Sequence, residues 1–160
     1  MPSINERQID VLNGLIATTL DSAEGYGAAA KEARNPRFKT MFDDRAAQRH
    51  QLTNELQDEV RGLGGEPKDS VSILAAGHRM FLNLKNAVIG NDEGIINEIE
   101  SGEDYIRDKY EAALQEGSLT APVKAVVSSA YEGVKADHDI IRDLKQEYQA
   151  RANPDAQPGL

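Results

Sequence analysis

Apolar residues recur at three- and four-residue steps over four stretches of the chain, which is the period of one face of an α-helix. The first stretch follows Ser3-Ile4-Asn5-Glu6, a capping-box pattern in which the serine and glutamate side chains satisfy backbone N–H groups at a helix start. We expect this helix to run to about Ala33. The second begins at Asn35-Pro36 and ends near Leu63, before Gly64-Gly65. Because the link between them is short, the two helices are predicted to be antiparallel neighbours.

The third stretch begins near Asn91 and ends at Gly117, and the fourth runs from about Ala121 to Gln149. Residues 64–91 form a long connection, in which residues 72–89 are rich in apolar side chains and are predicted to form a short extra helix. Two helical hairpins joined by one long crossover have the connectivity of ferritin-like bundles. We therefore predict an all-α, ferritin-like antiparallel four-helix bundle over residues 1–150, followed by a disordered tail at 151–160.

Composition narrows the classes of function. The 160 residues suffice for one compact domain. The net charge of -9 argues against nucleic acid and anionic membrane surfaces as partners. The absence of cysteine excludes disulfides and thiolate chemistry, so a metal would need carboxylate and imidazole ligands. No secretory leader is apparent at the N-terminus, and we expect a cytoplasmic protein.

A short internal echo relates the two hairpins. Ser22-Ala23-Glu24-Gly25-Tyr26 in the first helix resembles Ser101-Gly102-Glu103-Asp104-Tyr105 in the third. Helical phase places both glutamates, together with Arg49 and His138, on or beside the apolar stripes, whereas His50 lies about a quarter turn away. Four ionisable side chains are therefore predicted to point into one interior, where they must pair or bind a cation.

Three interpretations of this cluster remain open, and in one of them the helical phases are off by one position and these side chains are solvated. Glu24, Glu103, His138 and His50 could bind one Fe, Mn or Zn ion, as a vestigial or mononuclear site. Alternatively, the Arg49 guanidinium replaces the metal as the counter-charge, and Glu24, Arg49, Glu103 and His138 form a metal-free buried network. Asp137 and Asp139 are interpreted as solvated flanks of the fourth helix.

The intact di-iron pattern is missing. In di-iron bundles two helices each supply a Glu-x-x-His motif, but Ala47 stands three residues before His50 and Lys135 three before His138. No catalytic residue is assigned, and no glycine-rich loop after a strand supports nucleotide binding. We expect a protein that is not an enzyme; a homo-oligomer is compatible with the sequence, and no protein partner is indicated.

The order and spacing of several motifs resemble a bacterial family of ferritin-like proteins that is described as a domain of unknown function. The motifs are Glu24-Gly25-Tyr26, the Leu63–Pro67 turn, Gly102-Glu103-Asp104 and His138-Asp139. The resemblance covers about residues 5–149. It implies the fold of ferritins and rubrerythrins, and iron-related or stress-related roles as a weaker expectation.

Overall fold

The structure is a computed structural model that describes residues 2–69 and 92–152. Within these ranges it contains four helices, α1 (Ile4–Glu32), α2 (Pro36–Gly62), α3 (Asp92–Gln115) and α4 (Ala121–Ala152), and no strand. The predicted all-α four-helix bundle is confirmed. α4 continues three residues beyond its predicted end, into the segment expected to be a tail. The predicted crossover helix at 72–89 and the remainder of the tail lie outside the described residues.

The capping residues at the starts of α1 and α2 form the hydrogen bonds that the sequence predicts. The Ser3 hydroxyl accepts a hydrogen bond from the Glu6 N–H, and the Glu6 carboxylate accepts one from the Ser3 N–H. At the start of α2 the Asn35 side chain accepts from the Arg37 N–H. These caps satisfy backbone donors that would otherwise lack partners, and so they fix where both helices begin.

Contacts at the helix ends define the topology. The Asp92 carboxylate, at the start of α3, accepts hydrogen bonds from the N–H groups of Arg34 and Asn35 in the α1–α2 turn. At the opposite end, the Gln8 side chain of α1 accepts from the N–H and hydroxyl groups of Thr120 in the α3–α4 turn. Residues 66 and 68, which follow α2, are hydrogen-bonded to Asn13 of α1. The connection between α2 and α3 therefore joins opposite ends of the bundle.

The core is made mostly of aliphatic residues that project from all four helices between the two hairpins. Leu12 and Ile16 of α1, Leu56 of α2, Ile99 of α3 and Val127 of α4 have no exposed surface. Each apolar side chain buried in this way contributes about 1.5–3 kcal/mol. The helices within each hairpin pack closely, whereas α2 and α4 approach each other much less closely. In the described ranges, no helix combines the length and hydrophobicity that a membrane span requires.

Gly64 ends α2 in the left-handed conformation, with φ of 83°. The N–H of Gly65 bonds to the carbonyl of Val60, and the N–H of Gly64 bonds to that of Arg61, which is a Schellman motif. A side chain at Gly64 would therefore be strained even though a Cβ atom there meets no neighbour within 4 Å.

We predict that Gly64→Ala lowers the free energy of unfolding by about 1–2 kcal/mol, because alanine disfavours a left-handed conformation. Gly62→Ala is the matched control: Gly62 is the last helical residue of α2 and has free space around it, so the change should be neutral or stabilising by up to about 1 kcal/mol. Urea unfolding followed by circular dichroism measures both. Equal effects of the two variants would contradict the role given to Gly64.

Candidate functional site

Arg49 is the largest fully buried side chain of the described core, with 2% of its side chain exposed. It lies seven residues from both Phe42 and Leu56, on the inner face of α2. An arginine at such a position requires partners for its charge and for its N–H groups, since an unpaired buried charge is strongly unfavourable.

One guanidinium group contacts the other three helices. Nη1 of Arg49 donates to the Ser22 hydroxyl of α1 at 2.6 Å. Nη2 donates to Glu103 of α3 at 3.0 Å and to Asp137 of α4 at 3.1 Å. Through these three contacts, the single side chain from α2 joins all four helices of the bundle.

Tyr26 provides a second hydrogen-bond donor to the buried carboxylate of Glu103. Its hydroxyl donates to Oε1 of Glu103 at 2.9 Å, while Oε2 of Glu103 accepts from Arg49. The Arg49 guanidinium carbon also lies 5.5 Å from the centre of the Tyr26 ring, a cation–π contact. Burial, followed by the negative charge of Glu103, raises the pKa of Tyr26 well above its ordinary value. Both oxygens of Glu103 are thus already engaged by protein donors.

Arg45 supplies a second positive charge to the buried polar cluster. We call this cluster the Arg49 network; it consists of Ser22, Tyr26, Arg45, Arg49, Glu103 and Asp137. Arg45 lies one turn before Arg49 on α2 and forms an ion pair with the second oxygen of Asp137. Two cations, Arg45 and Arg49, therefore face two anions, Glu103 and Asp137. Burial is the largest influence and opposes the charged form of Arg49, but the neighbouring groups together, Glu103 foremost, outweigh it and raise the pKa of Arg49 above its ordinary value. Arg49 is a permanent cation in this core.

His138 belongs to a different cluster, which links α3 to α4. Its Nε2 atom lies 2.5 Å from a carboxylate oxygen of Asp104 and 3.1 Å from Nη1 of Arg107. Its Nδ1 atom lies 3.4 Å from Asp139. Although the His138 side chain is only 8% exposed, it forms no hydrogen bond or ion pair with Arg49 or Glu103.

The structure does not bring the four proposed metal ligands together. The side chains of Glu24 and His50 are 43% and 49% exposed, and they lie 4.0 Å apart on the outside of the first hairpin. Glu103 lies in the Arg49 network and His138 in the Asp104 cluster. Among the residues that the structure describes, no group of three or more acidic or imidazole side chains has the arrangement of a metal site.

The predicted inward placement of Glu24, which rests on its helical spacing from apolar residues of α1, is wrong, and the echo that pairs Glu24 with Glu103 has the wrong offset. The buried positions of α1 and α3 match at an offset of 77 residues, which pairs Tyr26 with Glu103; the echo used 79, which pairs Glu24 with Glu103. Two residues correspond to a rotation of about 160° around a helix. Tyr26 therefore occupies the position opposite Glu103, and Glu24 faces solvent.

Sequence reasoning missed Ser22, Tyr26, Arg45 and Asp137. Helical phase could have found Asp137, because it lies three residues after Val134 and four before Ile141, both of which are buried. The charged neighbours of Asp137 predict a solvated side chain, but only 14% of it is exposed. No feature of the sequence identifies Ser22 as an arginine partner.

The family is established by sequence. The model of the family described as "Domain of unknown function (DUF2383)" matches residues 7–116. The chain belongs to this family. A search of curated proteins gave no match.

Solved structures with a similar fold include three Dps proteins. A mutant of Mycobacterium smegmatis Dps1 superposes with a TM-score of 0.79 at 9% identity, over 91% of this chain and 99% of that chain. An archaeal Dps homologue from Halobacterium salinarum has a TM-score of 0.76 at 14% identity, over 89% of this chain and 81% of the other. The Vibrio cholerae O1 protein has a TM-score of 0.72 at 12% identity, over 88% and 90%, and is described as a member of a superfamily of ferritin-like diiron-carboxylate proteins. The DUF2383 chain thus has the ferritin-like fold.

We predict that Arg49→Met lowers the free energy of unfolding by about 3 kcal/mol or more, because it leaves the buried Glu103 carboxylate without its cation. The double variant Arg49→Met/Glu103→Leu removes both charges and should recover much of that loss. Arg37→Met, at an exposed position of the same helix, is the control. Equilibrium denaturation of the four proteins provides the comparison, and a wild-type value for Arg49→Met would refute the network.

The buried hydroxyl group of Tyr110 predicts that the folded protein loses stability at high pH. Burial raises the pKa of Tyr110, which contacts the Thr19 hydroxyl, from 10.0 to about 12. The unfolded chain releases the hydroxyl proton of Tyr110 at a lower pH than the folded chain does. Stability that is fully present below pH 10 is therefore lost as the pH rises towards 12. Denaturation between these limits should show a weaker pH dependence in Tyr110→Phe and an unchanged one in Tyr105→Phe. An identical profile in all three proteins would contradict the assignment.

Proposed function

We propose that this DUF2383 protein is a metal-independent, non-catalytic ferritin-like bundle whose core is organised by Arg49. The observation that carries the proposal is the set of contacts from one buried guanidinium to Ser22, Glu103 and Asp137, one on each of the other helices. The Arg49 side chain supplies the positive charge that the buried Glu103 needs. Its planar arrangement of donors favours one relative placement of the helices, because sliding a helix would break a charge-assisted bond.

A metal at Glu24, Glu103, His138 and His50 is the competing proposal, and the donor set does not support it. Glu103 has both oxygens bound by Arg49 and Tyr26, and the fixed charge of Arg49 would repel a divalent cation beside that carboxylate. Glu24 and His50 project from the outer side of the hairpin. Binding of Fe, Mn or Zn by these four side chains would require the first hairpin to repack.

In this proposal the core has a structural role, and any contact with other molecules is made by the surface. We assign no catalytic residue, because the buried polar groups of the Arg49 network are hydrogen-bonded to one another. The iron-related and stress-related roles implied by the ferritin resemblance, the cytoplasmic location and the absence of nucleic-acid partners stay predictions.

Metal analysis tests the proposal directly. We expect protein purified without chelator to hold no Fe, Mn or Zn beyond the level found in Glu103→Gln and in Glu24→Ala/His50→Ala. The unfolding midpoint should also be unaffected by a chelator or by added Mn²⁺ or Zn²⁺, because a ligand stabilises only the state that binds it. Glu24 and His50 lie on the outside of the first hairpin, so replacing both should leave the core undisturbed. The double variant is therefore a suitable reference.

One metal ion per chain that is lost in either variant would overturn the proposal. A chelator-induced fall in the unfolding midpoint of the wild type, absent from Glu103→Gln, would do the same.

A further inference from the structure

A groove between α2 and α4 remains open where these two helices diverge. The described residues enclose about 560 Å³ there, within the range of binding clefts. Residues between 48 and 55 of α2 form one wall, and residues between 125 and 137 of α4 form the other. Because a helix rises about 1.5 Å per residue, the α4 wall is about 18 Å long, or about three helical turns.

The α4 wall is apolar, and the one charge that the described lining residues place on it is paired. Its apolar surface is supplied by Val126, Ala130 and Val134. Gly133 leaves room beside them, since a Cβ atom built there meets no described atom within 4 Å. Asp137, at the end of this wall, forms ion pairs with Arg45 and Arg49. An occupant of the groove therefore meets an apolar surface on the α4 side.

The α2 wall carries carboxylates instead. Glu55 lines the groove, and Asp44 and Glu59 continue the same face of α2 about one turn before and one turn beyond the lining residues. Asp44 and Glu55 are exposed, and Glu59 is half-buried. The ion pairs that α2 forms within the described ranges involve none of these three carboxylates. Since Asp137 already occupies both arginines of this stretch, the wall presents unpaired negative charge.

We infer that the groove binds an amphipathic helix of another protein, whose apolar face lies against α4 and whose Lys or Arg side chains lie beside α2. Laying the apolar face of a helix into a groove is a recurring mode of recognition. The two walls specify the two faces of the occupant: apolar side chains match α4, and a cationic flank supplies the partners that Asp44, Glu55 and Glu59 lack. The chain's charge of -9 attracts such a partner and repels a second copy of the chain.

Binding of a synthetic peptide tests the inference. The probe is a helical peptide of about 18 residues, with leucines on one face, lysines on the other and one tryptophan among the leucines. The chain has no tryptophan, so the fluorescence of that residue reports on the peptide alone. We expect its emission to move to shorter wavelength as the peptide enters the groove, and the affinity to fall as salt is added. The same peptide with glutamate in place of lysine should not bind.

Two pairs of charge reversals test the role of the acidic wall. Asp44→Lys/Glu55→Lys should weaken binding of the lysine peptide by about tenfold or more, because like charges then face each other. Glu24→Lys/Glu32→Lys, at exposed positions of α1, changes the net charge equally and is the matched control. Fluorescence titration should give a much smaller loss for the control, because its new charges lie away from the groove.

Gly133→Glu separates docking in the groove from general attraction to an acidic protein. The substitution makes the chain more acidic, so general attraction predicts tighter binding of the lysine peptide. We expect binding to be weaker by about tenfold or more, because the new carboxylate would project into the apolar contact. Gly14→Glu, at an exposed and open glycine of α1, is the control and should bind like the wild type or slightly more tightly.

Unchanged or tighter binding to Gly133→Glu would overturn the inference, and so would equal losses in the two charge-reversal pairs. A wild type that binds neither peptide, or that binds the lysine and glutamate peptides equally, would do the same. The substituted positions are all exposed within one chain, so we expect the variants to keep the wild-type circular dichroism spectrum and cooperative urea unfolding.

Discussion

The contacts of the Arg49 guanidinium are the constraint on which the core of this bundle depends. A hydrophobic core holds helices together without direction, and it tolerates small rotations and shifts as long as apolar area stays buried. The guanidinium tolerates much less, because its planar N–H donors meet Ser22, Glu103 and Asp137 on three different helices. A shift of any one helix would break a hydrogen bond to a buried charged group, which costs more than a small loss of apolar contact. The four helices are therefore placed relative to one another by polar contacts and held by the surrounding aliphatic core.

The network is stable because its charges balance inside the protein. Arg45 and Arg49 face Glu103 and Asp137, and Tyr26 donates to the carboxylate oxygen that Arg49 leaves free. Burial of so many polar groups is expected to be unfavourable unless nearly all of them find partners. In the described chain the exceptions among buried side-chain atoms are Nε of Arg45 and Oδ1 of Asn97. Balanced pairing at the centre leaves the excess negative charge of the protein on its surface, where water screens it.

The comparison with Dps proteins separates architecture from core chemistry. Superposition over about nine-tenths of the chain at 9–14% identity shows that different sequences satisfy the same packing of four helices. The Vibrio cholerae neighbour is described within a diiron-carboxylate superfamily, whereas the centre of this chain contains a guanidinium joined to carboxylates. Similarity of fold at this level of identity determines where side chains can meet in the interior, and the residues at those positions determine what they can bind.

Much of the fold could be predicted because it depends on local signals. Helical periodicity, the capping box at Ser3, the N-cap at Asn35 and the glycine at 64 act over a few residues, and the four helices begin and end close to where these signals stand. The candidate site was only partly predictable. The inward direction of Arg49 and Glu103 follows from apolar residues seven positions away, but the outward direction of Glu24 depends on which part of the broad apolar stripe of α1 faces the core. Which polar groups meet depends on how helices rotate and pack against one another, and that is set by contacts between residues distant in sequence. The sequence by itself therefore determined the helices and their order; only the tertiary structure decided that Tyr26, Ser22 and Asp137, and not Glu24 and His138, surround the buried arginine.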